Sequence, residues 1–249
     1  MQGLTQGSPL WLACRSRFAI TGSRVPCLVG CHYESLNSFY QKKVFGKVKK
    51  HTEFSVQCMA WGSNNEENAF KQFLRDIKNS DFDVSRGITW KYSDGLHIWA
   101  KDPEVAASPD AVAYDREDDP FICLEIKCPF AGKWHHGSAF EMFQKKPQHW
   151  IQLQMNMACC DCPMGAFYVW TAASDDHMPE RRLILCREDK KFVKYLRTKI
   201  NWWKEILYLA SDGRPSKQLR VPSGWKAEAL DEIKNSVERA VFSEELFIE

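Results

Sequence analysis

Apolar positions first recur with a helical period over Pro9 to Phe18, where Ser8 suits an N-cap, Pro9 the first helical position, and Trp11 and Leu12 the apolar anchors. A loop over Thr21 to Pro26 follows, and His32 to Tyr40 reads as a second helix. From Met59 to Lys78 the stripe Phe70, Phe73, Leu74, Ile77 keeps the helical period, and one step of four residues back lands on Glu66. That carboxylate is therefore expected to face inward. The period then changes. Ile88 to Tyr92, Leu96 to Ala100, Ala111 to Tyr114 and Phe121 to Lys127 read as short strands parted by Ser93-Asp94-Gly95 and the acidic turn Asp115 to Pro120, which predicts a β-meander. Pro147 to Cys159 returns to a helix, Gly165 to Thr171 and Arg182 to Cys186 to strands, and Asp189 to Leu209 to a long helix carrying Trp202 and Trp203. The order predicts an α/β or α+β domain over residues 1–210. Ser211 to Gly224, rich in Ser, Pro and Gly, reads as a linker, and Trp225 to Phe247 as a mostly acidic amphipathic helix.

Composition agrees with a folded chain: among 249 residues, 44% are hydrophobic and 13% aromatic, enough for a sizeable core. The 34 Lys and Arg nearly balance 32 Asp and Glu, so bulk charge neither demands nor excludes a nucleic-acid partner. Locally, Lys42, Lys43, Lys47, Lys49 and Lys50 form the densest basic run, a candidate phosphate-tracking surface or simply a solvated face. No apolar stretch approaches the length of a membrane span, and Met1 to Phe18 lacks the basic start and apolar run of a signal peptide. A soluble intracellular protein is the expectation, nuclear if its host is eukaryotic and otherwise cytoplasmic. Its ten cysteines are then expected as reduced thiols, mostly buried.

Three features carry candidate chemistry. Ser108-Pro109-Asp110 places an aspartate at a turn between strands, which alone means little. Glu125-Ile126-Lys127 ends a strand that looks buried, and spacing by two puts both charges on one face about 6.8 Å apart. The third is inward-facing Glu66. Buried carboxylates without a cation cost several kcal/mol unless protonated or paired, so Asp110, Glu125 and Glu66 converging with one lysine make sense around a divalent metal. Hard oxygen ligands point to Mg²⁺, with Mn²⁺ able to substitute, rather than Zn²⁺, and hence to phosphodiester hydrolysis.

These residues resemble the PD-(D/E)XK nuclease superfamily, and within it the YqaJ or lambda-exonuclease-like viral recombinase family. The resemblance runs from Trp11 to about Lys204 through Arg15 with Ile20-Thr21-Gly22-Ser23, Trp61-Gly62 with Glu66 and Ala69, Ser108-Pro109-Asp110, Leu124-Glu125-Ile126-Lys127-Cys128-Pro129, Gln152-Leu153-Gln154 with Met157, and Tyr168-Val169-Trp170-Thr171. It implies a restriction-endonuclease-like core with a central mixed sheet flanked by helices. It also implies a metal-dependent deoxyribonuclease that degrades one strand of linear duplex DNA from its 5′ end and leaves a 3′ overhang. Asp110, Glu125 and the Ile126 carbonyl match the inner metal ligands, Glu66 the helix carboxylate joining them, Gln152 a supporting glutamine, and Lys127 the lysine that orients or deprotonates the attacking water. The groups that hold the 5′-terminal phosphate in lambda exonuclease fall on Arg15, Ser23, Ser108 and Lys133. The stretch from Arg15 to Ile20 is one residue longer than in lambda exonuclease, which leaves Arg17 as the alternative arginine, and Ala111 stands where the family usually has glycine. A single-strand annealing protein and a homo-oligomeric ring around the duplex are the partners that the resemblance implies.

Other readings remain beside it. Cys27 and Cys31 with His32, and Cys159 and Cys160 with Cys162, lack zinc-ribbon spacing, so no zinc is expected. His135-His136 reads as a DNA-facing or solvated loop, and the Trp202-Trp203 pair as core. The same centre is compatible with a nuclease acting on RNA or as an endonuclease, and, from another class, with a catalytically silent DNA-end-binding module.

Overall fold

Ser8 accepts a hydrogen bond from the Trp11 amide at 3.2 Å, and with Pro9 at the first position this starts helix α1 (Pro9–Arg17). The computed structural model describes residues 6–47, 50–79, 87–93, 95–130, 137–171 and 180–248. After α1 come the short strand β1 (Ile20–Thr21), a 3-10 turn at Gly22–Arg24, and the helices α2 (Val25–Leu28), α3 (Leu36–Phe45) and α4 (Glu53–Asn79). The helix expected from His32 thus begins at Leu36, where Ser35 supplies the cap to the Ser38 amide. The long helix begins six residues before Met59, at Glu53, behind Thr52, whose hydroxyl accepts from the Ser55 amide.

Strands β2 (Thr89–Tyr92), β3 (His97–Ile98), β4 (Val105–Ala107), β5 (Ala111–Tyr114) and β6 (Pro120–Lys127) follow. They do not form one meander. β2, β5 and β6 are antiparallel neighbours, whereas β3 pairs with β4 in a separate small sheet of order β1-β4-β3. The chain leaves the small sheet at Ser108-Pro109, where proline has no amide to continue a ladder. A helix that the apolar pattern does not announce, α5 (Ala139–Lys145), opens with a capping box between Ser138 and Glu141.

Helix α6 (Pro147–Cys160), stopped by Asp161 in the left-handed region, is the crossover that makes β7 (Met164–Trp170) parallel to β6. β8 (Glu180–Arg187), α7 (Lys190–Ser211), α8 (Trp225–Ala240) and β9 (Val241–Ile248) complete the chain, and the large sheet is ordered β2-β5-β6-β7-β8-β9. This is the expected mixed sheet flanked by helices. The helix read as running from Trp225 to Phe247 instead ends at Ala240, and β9 pairs antiparallel with β8. Apolar side chains from one sheet face, including Cys123, Phe167 and Ile184, pack with α6, α7 and α8, and those of the other, including Leu124, Ile126 and Tyr168, pack with Phe70, Phe73 and Ile77 of α4. All ten cysteines are free thiols. Among the described residues no helix is long and apolar enough to cross a membrane.

Candidate active site

Alternation along β6 sends Ile122, Leu124 and Ile126 to the α4 side and Cys123 to the α6 side; Glu125 follows Cys123 and is 1% exposed. Asp110, 6% exposed, precedes β5 and is pinned through its backbone: its amide donates to the Leu124 carbonyl at 3.1 Å, and its carbonyl accepts from the Ser93 amide at 2.8 Å. Its carboxylate accepts from the Ile126 amide at 2.5 Å. Lys127 donates to one oxygen of Glu125, and Asn156 of α6 donates to the other at 2.8 Å. Glu66, half-buried on α4, accepts from the Tyr92 hydroxyl at 3.1 Å.

Glu66, Asp110, Glu125, Ile126, Lys127 and Gln152 line one cleft of about 760 Å³, together with Arg15, Ser23 and Ser108. Also lining the cleft, Arg15 donates to the Ser23 hydroxyl at 2.6 Å and lies over the Trp11 ring. Arg17 is exposed and is not among the residues that line the cleft. Ser108 donates to the Gly95 carbonyl at 2.8 Å, which orients its hydroxyl at the cleft wall. Lys133 lies outside the described residues, as do His135, His136 and Lys49. Within the lysine run, Lys43 donates to the Ser16 and Phe18 carbonyls and so closes the end of α1, a structural role rather than an open phosphate contact.

The electrostatics follow from burial. Desolvation, and then the neighbouring Glu125 and Glu66, push the Asp110 carboxyl well above its usual range. Burial likewise raises Glu66, opposed by the Tyr92 hydrogen bond. Burial alone would lower the Lys127 ammonium, but Glu125 and Asp110 outweigh it and hold it above its usual value. Arg15 falls to about 10 through burial and the nearby Arg24, so it stays charged at neutral pH. Burial, with Lys127 nearby, drives the His149 imidazole of the cleft down, and burial with Arg24 takes His32 to about 4; both are neutral.

Three carboxylates therefore share one lysine in the cleft, and burial first, then their mutual repulsion, raises the affinity of Asp110 and Glu66 for protons. Hard oxygen donors around one lysine fit a divalent metal, and Asp110, Glu125, the Ile126 carbonyl and Glu66 are the groups that could hold it. The tightest ligand groupings among the described residues, with atoms within 4.8 Å, lie elsewhere. In Asp115, Glu117 and Asp119, Asp115 accepts the amides of the other two, so that grouping is an acidic turn. In Cys27, His32 and Glu34, Glu34 already pairs with Arg24, and Cys31 is not part of the group. A second cleft, of about 750 Å³, is lined by Glu104, Lys204 and Tyr208, and its Lys204 is neutralised by Asp102 and Glu104.

Sequence reasoning missed Asn156, Tyr92 and His149. Asn156 and His149 had a signal available, because residues 149, 152 and 156 fall on one stripe of α6 and all line the cleft. Tyr92 comes to Glu66 only through the docking of α4 on β2, which no local pattern announces.

The fold is shared with solved structures. An alkaline exonuclease (LHK-Exo) from Laribacter hongkongensis matches at 20% identity and a TM-score of 0.56, covering 83% of this chain and 98% of its own. The structure of LHK-Exo in complex with dAMP matches over the same extents with a TM-score of 0.57. A phage-related exonuclease from Haemophilus somnus 129PT matches at 13% identity and a TM-score of 0.54, covering 77% of this chain and 93% of its own. Comparison with curated proteins finds no match. The YqaJ-like viral recombinase domain matches residues 10–163, a span that includes Arg15, Glu66, Asp110, Glu125, Lys127 and Asn156, and the chain belongs to that family.

Proposed function

We propose that this chain is a divalent-metal-dependent exodeoxyribonuclease that removes nucleotides from the 5′ end of one strand of linear duplex DNA, leaving a 3′ overhang for recombination, repair or replication. The observation that carries the reading is the cleft itself, lined by three carboxylates with one lysine and by an Arg15–Ser23 pair. The exonuclease names of the structural neighbours, and the dAMP bound to one of them, support it. Mg²⁺, or Mn²⁺ in its place, supplies Lewis-acid activation of water and neutralises charge at the scissile phosphodiester. Asp110, Glu125 and the Ile126 carbonyl, joined by Glu66, would hold it, with Gln152 in support.

Lys127, kept protonated by its carboxylate neighbours, offsets charge on the phosphoryl group and orients the attacking water. Arg15 and Ser23, with Ser108 and Lys133, are the groups proposed for the 5′-terminal phosphate; a positioned phosphate sets the first phosphodiester at the floor. A ring-shaped homo-oligomer, an annealing protein that takes up the overhang, and a nuclear site of action in a eukaryotic host belong to the same reading.

The test is a time course on linear duplex DNA labelled separately at the 5′ and 3′ ends, with closed circular DNA and duplex RNA alongside, in Mg²⁺ and in chelator. Release of 5′ label as mononucleotide in Mg²⁺ alone, with circles and RNA intact, is the expected result. Cut circles or RNA would overturn the substrate, and end binding without cleavage would identify a silent binding module.

A further inference from the structure

Glu125 is the least exposed carboxylate of the cleft, and its two oxygens have different partners, Lys127 on one and Asn156 on the other. Asn156 donates to Glu125 through its amide nitrogen, which turns the amide oxygen the opposite way. That oxygen meets the segment bearing Ser23: a β-carbon on Gly22 would lie 2.9 Å from it and 3.4 Å from the β-carbons of Ala107 and Met155. Gly22 is thus the residue that lets the Thr21-Gly22-Ser23 turn lie against α6. Thr21 and Ser23 are also the residues to which Arg15 donates. One side chain, 1% exposed, therefore touches the carboxylate on one side and the Arg15-binding turn on the other.

We propose that Asn156 is a positioning residue that holds Glu125 in the orientation needed to bind the divalent ion and keeps it in register with the Arg15–Ser23 wall. The inference rests on the metal-dependent reading above. Without the Asn156 donor, Lys127 is the remaining hydrogen-bond partner of Glu125 among the described residues, and the carboxylate turns toward the ammonium at the expense of the metal. Outer partners of ligating carboxylates typically contribute about tenfold or more to metal affinity.

The experiment titrates Mn²⁺ into the full-length protein without DNA, following free Mn²⁺ by electron paramagnetic resonance, for the wild type, Asn156→Leu, Glu125→Gln and the double variant. Leucine keeps the forked shape and the number of heavy atoms and removes the donor. About a tenfold loss of Mn²⁺ affinity is expected for Asn156→Leu, with no further loss when it is added to Glu125→Gln, since the two act through one ligand. In cleavage assays, the Mg²⁺ concentration giving half the maximal rate should rise by a similar factor while KM for DNA stays unchanged. Wild-type affinity in Asn156→Leu, or a full additional loss in the double variant, overturns the role of Asn156 alone. Failure of the wild type to bind Mn²⁺ overturns the metal-dependent reading and this inference with it. If the leucine variant does not fold, Asn156→Ser, whose hydroxyl is too short to reach Glu125, enters the same comparison.

Discussion

Charge on Asp110 comes at the expense of the fold. Its carboxylate is buried beside Glu125 and Glu66, and the Ile126 amide and Lys127 only partly offset the cost. A carboxyl whose folded-state value lies above its unfolded one binds more protons in the folded chain. Stability of the metal-free protein must then fall as pH rises from about 4, the unfolded aspartate value, through the raised folded value. Glu66, raised by burial, acts in the same direction. Asp110→Asn keeps an oxygen to accept the Ile126 amide and removes the charge, so at pH 7 in chelator it is expected to be about 1 kcal/mol more stable than the wild type, while cleavage is abolished. In a chain of this length that is roughly 2–4 °C in Tm. Melting curves in chelator from acid to neutral pH check this, and an unchanged Tm with an unchanged pH slope would remove the argument. Asp110, Glu125 and Lys127 were legible because their chemistry sits in contiguous short motifs, and Glu66 because it continues the apolar stripe of α4 one step back with a carboxylate. Tyr92 was not, because its contact is made only when α4 docks on the sheet, and for Asn156 the α6 stripe shared with Gln152 marks the face but not the partner, Glu125.

Among the elements, α4 has the task of carrying Glu66 to the cleft from the far face of the sheet. It is fixed about 15 Å further along by Asp76, ten residues and nearly three turns beyond Glu66. Asp76, 4% exposed, accepts from the Tyr168 hydroxyl at 2.5 Å, from Arg181 at 3.0 Å and from Gln72 at 3.1 Å, so strands β7 and β8 both grip the helix. Removing one member of a buried, hydrogen-bonded ion pair strands the other. Asp76→Ala should therefore cost about 3–5 kcal/mol and lower Tm by roughly 10 °C or more. Cleavage measured well below the transition should survive, because Asp76 does not line the cleft. A Tm within a degree of the wild type would show that the clamp is decorative. At this scale the long amphipathic helices were readable from period alone. β4 was not, since Val105, Ala106 and Ala107 are all buried and show no alternation.

For the whole molecule, the C-terminal segment decides how the large sheet ends. Ala229, Ile233, Val237 and Ala240 form a helical stripe, and Val241 and Phe242 continue the apolar run without a glycine or proline between them. Periodicity therefore ran the helix to Phe247, and the change to a strand is set by the partner, β8, which offers Glu180–Arg187 as a template. The resulting β9 is tied in beyond its ladder. Glu244 accepts from the Ala139 amide at 2.8 Å and from Arg182 at 3.1 Å, and the Arg181 guanidinium lies over the Phe247 ring. Ending the chain after Ala240 would uncover the backbone of β8, whose Leu183, Ile184 and Leu185 are buried, and would leave Arg182 without Glu244. An uncovered, apolar strand of that length is a template for pairing with other chains. The shortened protein is accordingly expected to melt several degrees lower and to elute from size exclusion largely as aggregate. A monodisperse product with the full-length Tm would mean that β9 lies on the sheet without supporting it, and that the nuclease core is complete before residue 241.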